Sequence, residues 1–427
     1  MINLFDKYLS SFMHIKCSQR NKQIFTVCFN TIIFSLLVHF MACEDLTTKQ
    51  KRIIIENNSD ALSARIQYSQ EIIPIDTVGT GNFKRKSLSY ADTVVLTLVA
   101  EVSPPEYDGV ILQATDVRIK DNKAYVSYNV QGETFLGAVD IFDVSNIDQP
   151  SLLSSAIFID TDINGIKEKS GYLYLAGATD RTEFSTPAVL EKVTLDNDDL
   201  LTNTTETMDL PSFAATDVTV EKDWIYVTSG ALGGYVNILD KDTFTKHDSI
   251  AVEDARSVDG DGDDVGVVAG TPARLLIFDR DSGSLTNDWT LTGANIEFSK
   301  STIEIKKKKA ILALGDGGTQ IVCIQTGTVI DSIPQPMVSD LDASVTVTNA
   351  ASIDKRLLFM ANGEAGVYVG ISDTKFDSKD CDVDNLRLLG HFRFGDFQSV
   401  NHIHYKHDVM FVASGLGGLK ILTVQVN

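Results

Sequence analysis

Residues Ala215 to Gly230 read ATDVTVEKDWIYVTSG, and forty positions later Ala255 to Gly270 read ARSVDGDGDDVGVVAG, in alignment without a gap. The same template fits Ala114 to Asn129 (ATDVRIKDNKAYVSYN) and Val400 to Gly415 (VNHIHYKHDVMFVASG). Lys300 to Gly315 (KSTIEIKKKKAILALG) follows it more loosely, Asn164 to Gly177 (NGIKEKSGYLYLAG) is a shorter copy, and Ser344 to Gly363 carries a longer turn. Each copy has one physical pattern. Apolar residues alternate through a short strand (Val117, Ile119), a polar turn follows (Asp121-Asn122-Lys123), and a second strand is rich in Tyr and Val. Period-two runs between turn signals are antiparallel strands.

After each pair comes a Gly-rich turn and a third strand ending in Asp: VDIFD (139–143), VNILD (236–240) and LLIFD (275–279). A fourth strand comes next, as in SLLSSAI (151–157). Four short strands recurring about every forty residues predict the blades of a propeller. The chain is therefore expected to be all-β, a seven-bladed β-propeller of four-stranded antiparallel blades. The last repeat stops at Asn427, just after its third strand (LKILTVQ, 419–425), while 93–102 (TVVLTLVAEV) is a strand with no blade of its own. The N-terminal strand should complete the last blade and close the ring, which removes open sheet edges.

The third strands, with the YV strand and Gly-Gly turn before them, resemble the LVIVD repeats of bacterial surface proteins. The resemblance covers residues 93–427. It implies the propeller fold and export, and carries no catalytic chemistry.

The first residues differ in character from the rest. Lys16, Arg20 and Lys22 precede a mostly apolar run from Ile24 to Ala42, and polar sequence resumes at Glu44. A basic flank, an apolar core and a small residue at its end are a secretory signal, here 1–42. The junction Phe40-Met41-Ala42-Cys43 resembles the lipobox of bacterial lipoproteins, which implies that Cys43 is acylated after cleavage. Several acyl chains anchor stably where one would be marginal. Glu44-Asp45 is similar to the export signals of surface lipoproteins in Bacteroidota. The implied address is the bacterial cell envelope, as an outer-membrane lipoprotein facing the periplasm or the surface. Residues 43–92 then read as a polar tether, with one apolar patch at Ile53-Ile54-Ile55.

The formal net charge is −21, and loss of 1–42 makes the remainder three charges more negative. Such a chain lacks the surplus of Lys and Arg that phosphate backbones demand, so nucleic acid is not an expected partner. Of five Cys, Cys323 and Cys381 alone lie beyond the lipid site. They do not suggest a disulfide framework, and Cys323, in the apolar strand QIVCI, reads as a buried inert thiol.

Asp259, Asp261 and Asp263 alternate with glycine like a calcium loop, but no bidentate Glu follows, and the alignment puts them at a strand turn where Asp and Gly belong. His402 and His404 share one face of a strand. His402 occupies the repeat position of Asp116 and Asp217, on innermost strands, so these four are expected to line the axial opening. They read first as the lining of a hydrated channel and second as a metal or catalytic cluster. No cofactor is demanded, although a divalent cation would suit either acidic group. The turns at Gly230, Gly315 and Gly415 are each followed by a strand, so they are hairpin turns and not phosphate cradles. Repeated Asp143, Asp240 and Asp279 should bond turn backbones. The reading is an interaction module for a protein or glycan partner at the propeller face. A hydrolase or lyase at the axial opening and a scaffold of an outer-membrane assembly are the alternatives.

Overall fold

Strands of four to nine residues, separated by tight turns, assemble blade by blade in chain order. The computed structural model describes residues 51–76 and 94–426, apart from 231, 232, 298 and 397. Cys43, the signal segment and the lipobox lie outside the described residues. Six sheets are built on four consecutive strands each, and their innermost strands are Gln113–Lys120, Thr161–Lys169, Ala215–Glu221, Ala255–Asp261, Ile303–Lys306 and Ala350–Asp354. The seventh sheet takes His402–Lys406, Val409–Ala413 and Leu419–Val426 from the C-terminus and Val94–Val102 from the N-terminus. Val94 pairs with Val426 and Val102 with Leu419, antiparallel. Ring closure by the N-terminal strand is therefore as the repeat count required. We number the blades 1 to 7 from Gln113.

Each blade lies between two others, so both faces of its middle strands are covered. This is why the third strands read as nearly continuous apolar runs instead of alternating. Val117, Val126 and Phe142 of blade 1 pack against Phe411, Leu419 and Ile421 of blade 7. Tyr226 and Ile238 of blade 3 pack in the same way on Val258, Val267 and Phe278 of blade 4. Full burial of one such side chain stabilises by roughly 1.5–3 kcal/mol. The expected turn chemistry is present: Asp143 accepts from Ser145 N at 2.8 Å, Asp240 from Thr243 N at 2.7 Å and Asp279 from Ser282 N at 2.8 Å. Gly418 has φ +69°, and a Cβ there would lie 2.0 Å from the Val102 carbonyl, so the turn before the closing contact admits glycine only.

Two expectations need correction. The segment read as a tether is, over 52–76, part of the ring. Ile53–Glu56 pairs with Ser151–Phe158 as a fifth strand of blade 1, and Ile66–Ile73 pairs with Val94–Val102 as a fifth strand of blade 7. A short helix, Ser59–Ser63, joins them and buries Leu62. The apolar Ile53–Ile55 patch was the visible sign, because an apolar run in polar sequence must find a surface to cover. Second, Cys323 and Cys381 form a disulfide, with Cα atoms 5.3 Å apart. Cys323 occupies the repeat position held by Asp143, Asp240 and Asp279, at the end of a third strand. The bond ties blade 5 to the long loop between Val367–Ile371 and Arg387–Phe392 in blade 6. Lys309, buried, donates to the Ser378 carbonyl at 3.0 Å and holds the same loop.

Candidate axial site

The innermost strand of a blade has a partner on one side only, and its free N–H groups face the next blade. Unpaired buried amides are costly, so an acceptor must be supplied. The polar side chains that face the axis supply it, one blade to the next. Asp116 Oδ2 accepts from Ile166 N at 3.3 Å, Asp217 Oδ2 from Val258 N at 3.2 Å and Asp259 Oδ2 from Ile305 N at 3.0 Å. Asp261 accepts from Lys307 N at 2.8 Å, Glu304 from Ile353 N at 3.2 Å, Ser352 from Tyr405 N at 3.0 Å and Asp354 from His407 N at 2.9 Å. Alternate residues of one strand share a face, so a single strand such as Ala255–Asp261 can serve several amides of its neighbour.

The axial cavity encloses about 440 Å³ and takes lining from all seven blades. His402 and His404 line it, with Arg118, Lys167, Asp259 and Glu304. Asp116 and Asp217 do not. Both are almost wholly buried, at 1% and 4% exposure, beyond Arg118. The guanidinium of Arg118 bridges them, with Nε 3.2 Å from Asp116 and Nη2 3.4 Å from Asp217. Ser257 Oγ donates to Asp217 at 2.5 Å. Lys300, on the segment leading into blade 5, crosses the axis and donates to the Thr115 carbonyl of blade 1 at 2.6 Å. The sequence reading placed all four at the opening; His402 and His404 line it, whereas Asp116 and Asp217 lie buried beyond it, Asp116 beside His402 across the closing seam. It missed Arg118 and Lys300, which seal that end. The signal was present in the repeat: Arg118 stands two positions after Asp116, on the same face of the strand.

His402 Nδ1 lies 3.0 Å from Asp116 Oδ1. Val117 N of blade 1 donates to the same nitrogen at 3.4 Å, while Asp116 Oδ1 has no hydrogen-bond partner among the described residues. Burial pushes His402 well below the ordinary histidine value, against the pull of Asp116. Burial likewise pushes His404 down to about 3, with Arg118 as the next cause. Against the desolvation that would raise it, Asp116 is held below the usual carboxylate range by Arg118, His402 and Lys300. Asp217 is raised by burial. Burial, with Asp259 nearby, pushes the Glu304 carboxyl up to about 7.

The acidic run does not converge. Asp259 and Asp261 are engaged with blade 5, while Asp263 lies in the turn after the strand and pairs with Arg280 at 3.0 Å. Among the described residues no group of three His, Cys, Asp or Glu is arranged to hold a metal ion.

Seven four-stranded blades in closed sequence, the last completed by the first strand, leave one architecture. The chain is a seven-bladed β-propeller. Solved structures agree in fold. The WD40 repeats of RRP9 share 9% identity with it over 76% of this chain and 97% of theirs, with a TM-score of 0.56. The structure of U3-55K shares 9% identity over 75% of this chain and 97% of its own, with a TM-score of 0.55. At that identity the likeness is one of fold alone. No family model and no curated protein matches the sequence.

Proposed function

We propose that the protein is an exported propeller of the LVIVD-repeat kind, held at the bacterial cell envelope by lipid on Cys43, and that it serves as an interaction module for a protein or glycan. One observation carries the interaction reading. The axial carboxylates that would be acid, base or ligand in an enzyme are engaged with backbone amides of the next blade, one after another round the ring. A residue bonded in this way serves the fold. The exposed apolar side chains Ile111, Phe213, Met337 and Leu416 stand on segments that precede innermost strands or on the turn at 414–418. Bridges such as Ala114 to Gly415 and Gly363 to Val400 put those segments and turns on one side of the disc. That side is the proposed partner face, because loops on a rigid scaffold are where recognition is built. The Cys323–Cys381 disulfide supports the extracytoplasmic address, since such bonds persist in oxidising compartments.

A second reading rests on Glu304. A carboxyl raised to about 7 inside a cavity is suited to general acid-base work in a hydrolase or lyase. Photo-crosslinkers placed at Phe213, Met337 and Leu416, with others at the mouth of the axial cavity, separate the two in cells. Specific adducts from the loop face support the module. Their absence, together with glycan turnover that Glu304→Gln abolishes, would establish the enzyme instead.

A further inference from the structure

The axial carboxylates are accounted for by the fold, but the axial cations are not. In a chain of net charge −21, the innermost strands place Arg118, Lys120, Lys167, Lys169, Lys306 and Lys406 in the lining of one cavity. A lysine has no acceptor to offer a neighbouring amide, so none of these takes part in the acid-to-amide bonding between blades. Arg118 is held by Asp116 and Asp217, and Lys120 by Glu168 at 2.5 Å. The nearest carboxylate to Lys167 is Asp259, at 3.9 Å. Lys169, Lys306 and Lys406 make no ion pair among the described residues. They come from blades 2, 5 and 7, and so surround the opening instead of clustering on one flank. The other end is shut by Arg118, with Lys300 crossing the axis beyond it. The result is a blind polar well in which these cations share the lining with Glu168, Glu221, Asp259, Asp261, Glu304 and Asp354, and in which Lys169, Lys306 and Lys406 are the cations left without an ion pair among the described residues.

We propose that this well binds a small hydroxylated organic anion, a sugar bearing a carboxylate or a phosphate, with the charged group at the lysines and the hydroxyls directed inward. The volume of about 440 Å³ falls in the range of small-molecule sites. Ammonium groups on flexible stems form charge-assisted hydrogen bonds to either oxyanion. Inside, Glu304, Ser352 and neutral His404 offer the mixed donors and acceptors that hydroxyl groups require. The proposal concerns the axial well and is independent of the partner face, so either can fail alone.

The test uses the mature protein at low ionic strength, where such attraction is least screened. Glucuronate and glucose 6-phosphate are titrated by calorimetry and by thermal shift, with glucose as the uncharged control. Saturable binding and a rising melting temperature are expected with at least one of the anions, and the one preferred tells carboxylate from phosphate. The double variant Lys169→Gln/Lys406→Gln should weaken that binding by roughly tenfold or more while melting no lower than the parent without ligand. No saturable binding by either anion, equal binding of glucose, or unchanged affinity in the double variant would overturn the proposal.

Discussion

Arg65 grips Asp140 with both terminal nitrogens, Nη1 to Oδ1 at 3.0 Å and Nη2 to Oδ2 at 2.6 Å, where the carboxylate has no exposed surface. Asp140 is the second residue of the VDIFD strand and lies in the middle of blade 1. Arg65 comes from the segment that looked like a tether, and it also donates to the Ser103 carbonyl. Arg52 treats blade 2 in the same way, meeting buried Glu191 at 2.8 and 2.7 Å beside Arg181 at 2.6 Å. The N-terminal segment therefore neutralises two buried acids as well as adding two strands.

Removing one partner of a buried pair leaves the other charge uncompensated. Arg65→Ala should destabilise by about 3–5 kcal/mol, and Asp140→Asn in the same chain should recover part of the loss. Arg52→Ala should cost less, because Arg181 still faces Glu191. Urea unfolding of the variants measures both; equal losses would contradict the assignment.

The disulfide closes a loop of 58 residues between blades 5 and 6. Constraint of the unfolded chain on that scale stabilises by about 2–4 kcal/mol. Cys323→Ser/Cys381→Ser should melt below the parent. Reductant should lower the parent to the same point and leave the double variant unmoved.

His404 predicts a pH dependence of definite sign. Its folded value of about 3 lies below the ordinary 6.5, so between those limits the unfolded chain binds a proton that the folded chain refuses. Stability from this group is lost as pH falls from 6.5 toward 3. Glu304, raised from 4.5 to about 7, acts oppositely: the folded chain holds its proton, and stability is lost as pH rises through that window. Melting temperatures across pH 4 to 7 should fall less steeply on acidification in His404→Gln than in the parent. In Glu304→Gln the fall should steepen.

Acylation at Cys43 is tested by labelling cells with a palmitate analogue. The parent should take the label and fractionate with membranes. Cys43→Ser should take none and either keep its signal segment or leave the membrane fraction. A variant that still fractionates with membranes at the parent's size, with no label in either protein, would end the lipoprotein reading.

Blade number, strand order and closure were legible because a repeat writes each of its demands many times over. Period-two alternation, turn residues and the continuous third strands are local, so each copy could be read by itself, and the missing fourth strand of blade 7 pointed to 93–102. The repeat also placed Asp116, Asp217 and His402 at equivalent positions near the axis. Tertiary structure decided what those positions do. Whether an inward acid binds a ligand or a neighbouring amide depends on the offset between adjacent blades, and no single strand encodes that offset. Ile53, Arg52 and Arg65 belong to no repeat, and their partners Phe158, Glu191 and Asp140 lie between 75 and 139 residues away. Cys323 and Cys381 meet only because blades 5 and 6 are adjacent in the ring. Contacts made once, over such separations, are fixed by the closed ring and leave no period in the sequence to find.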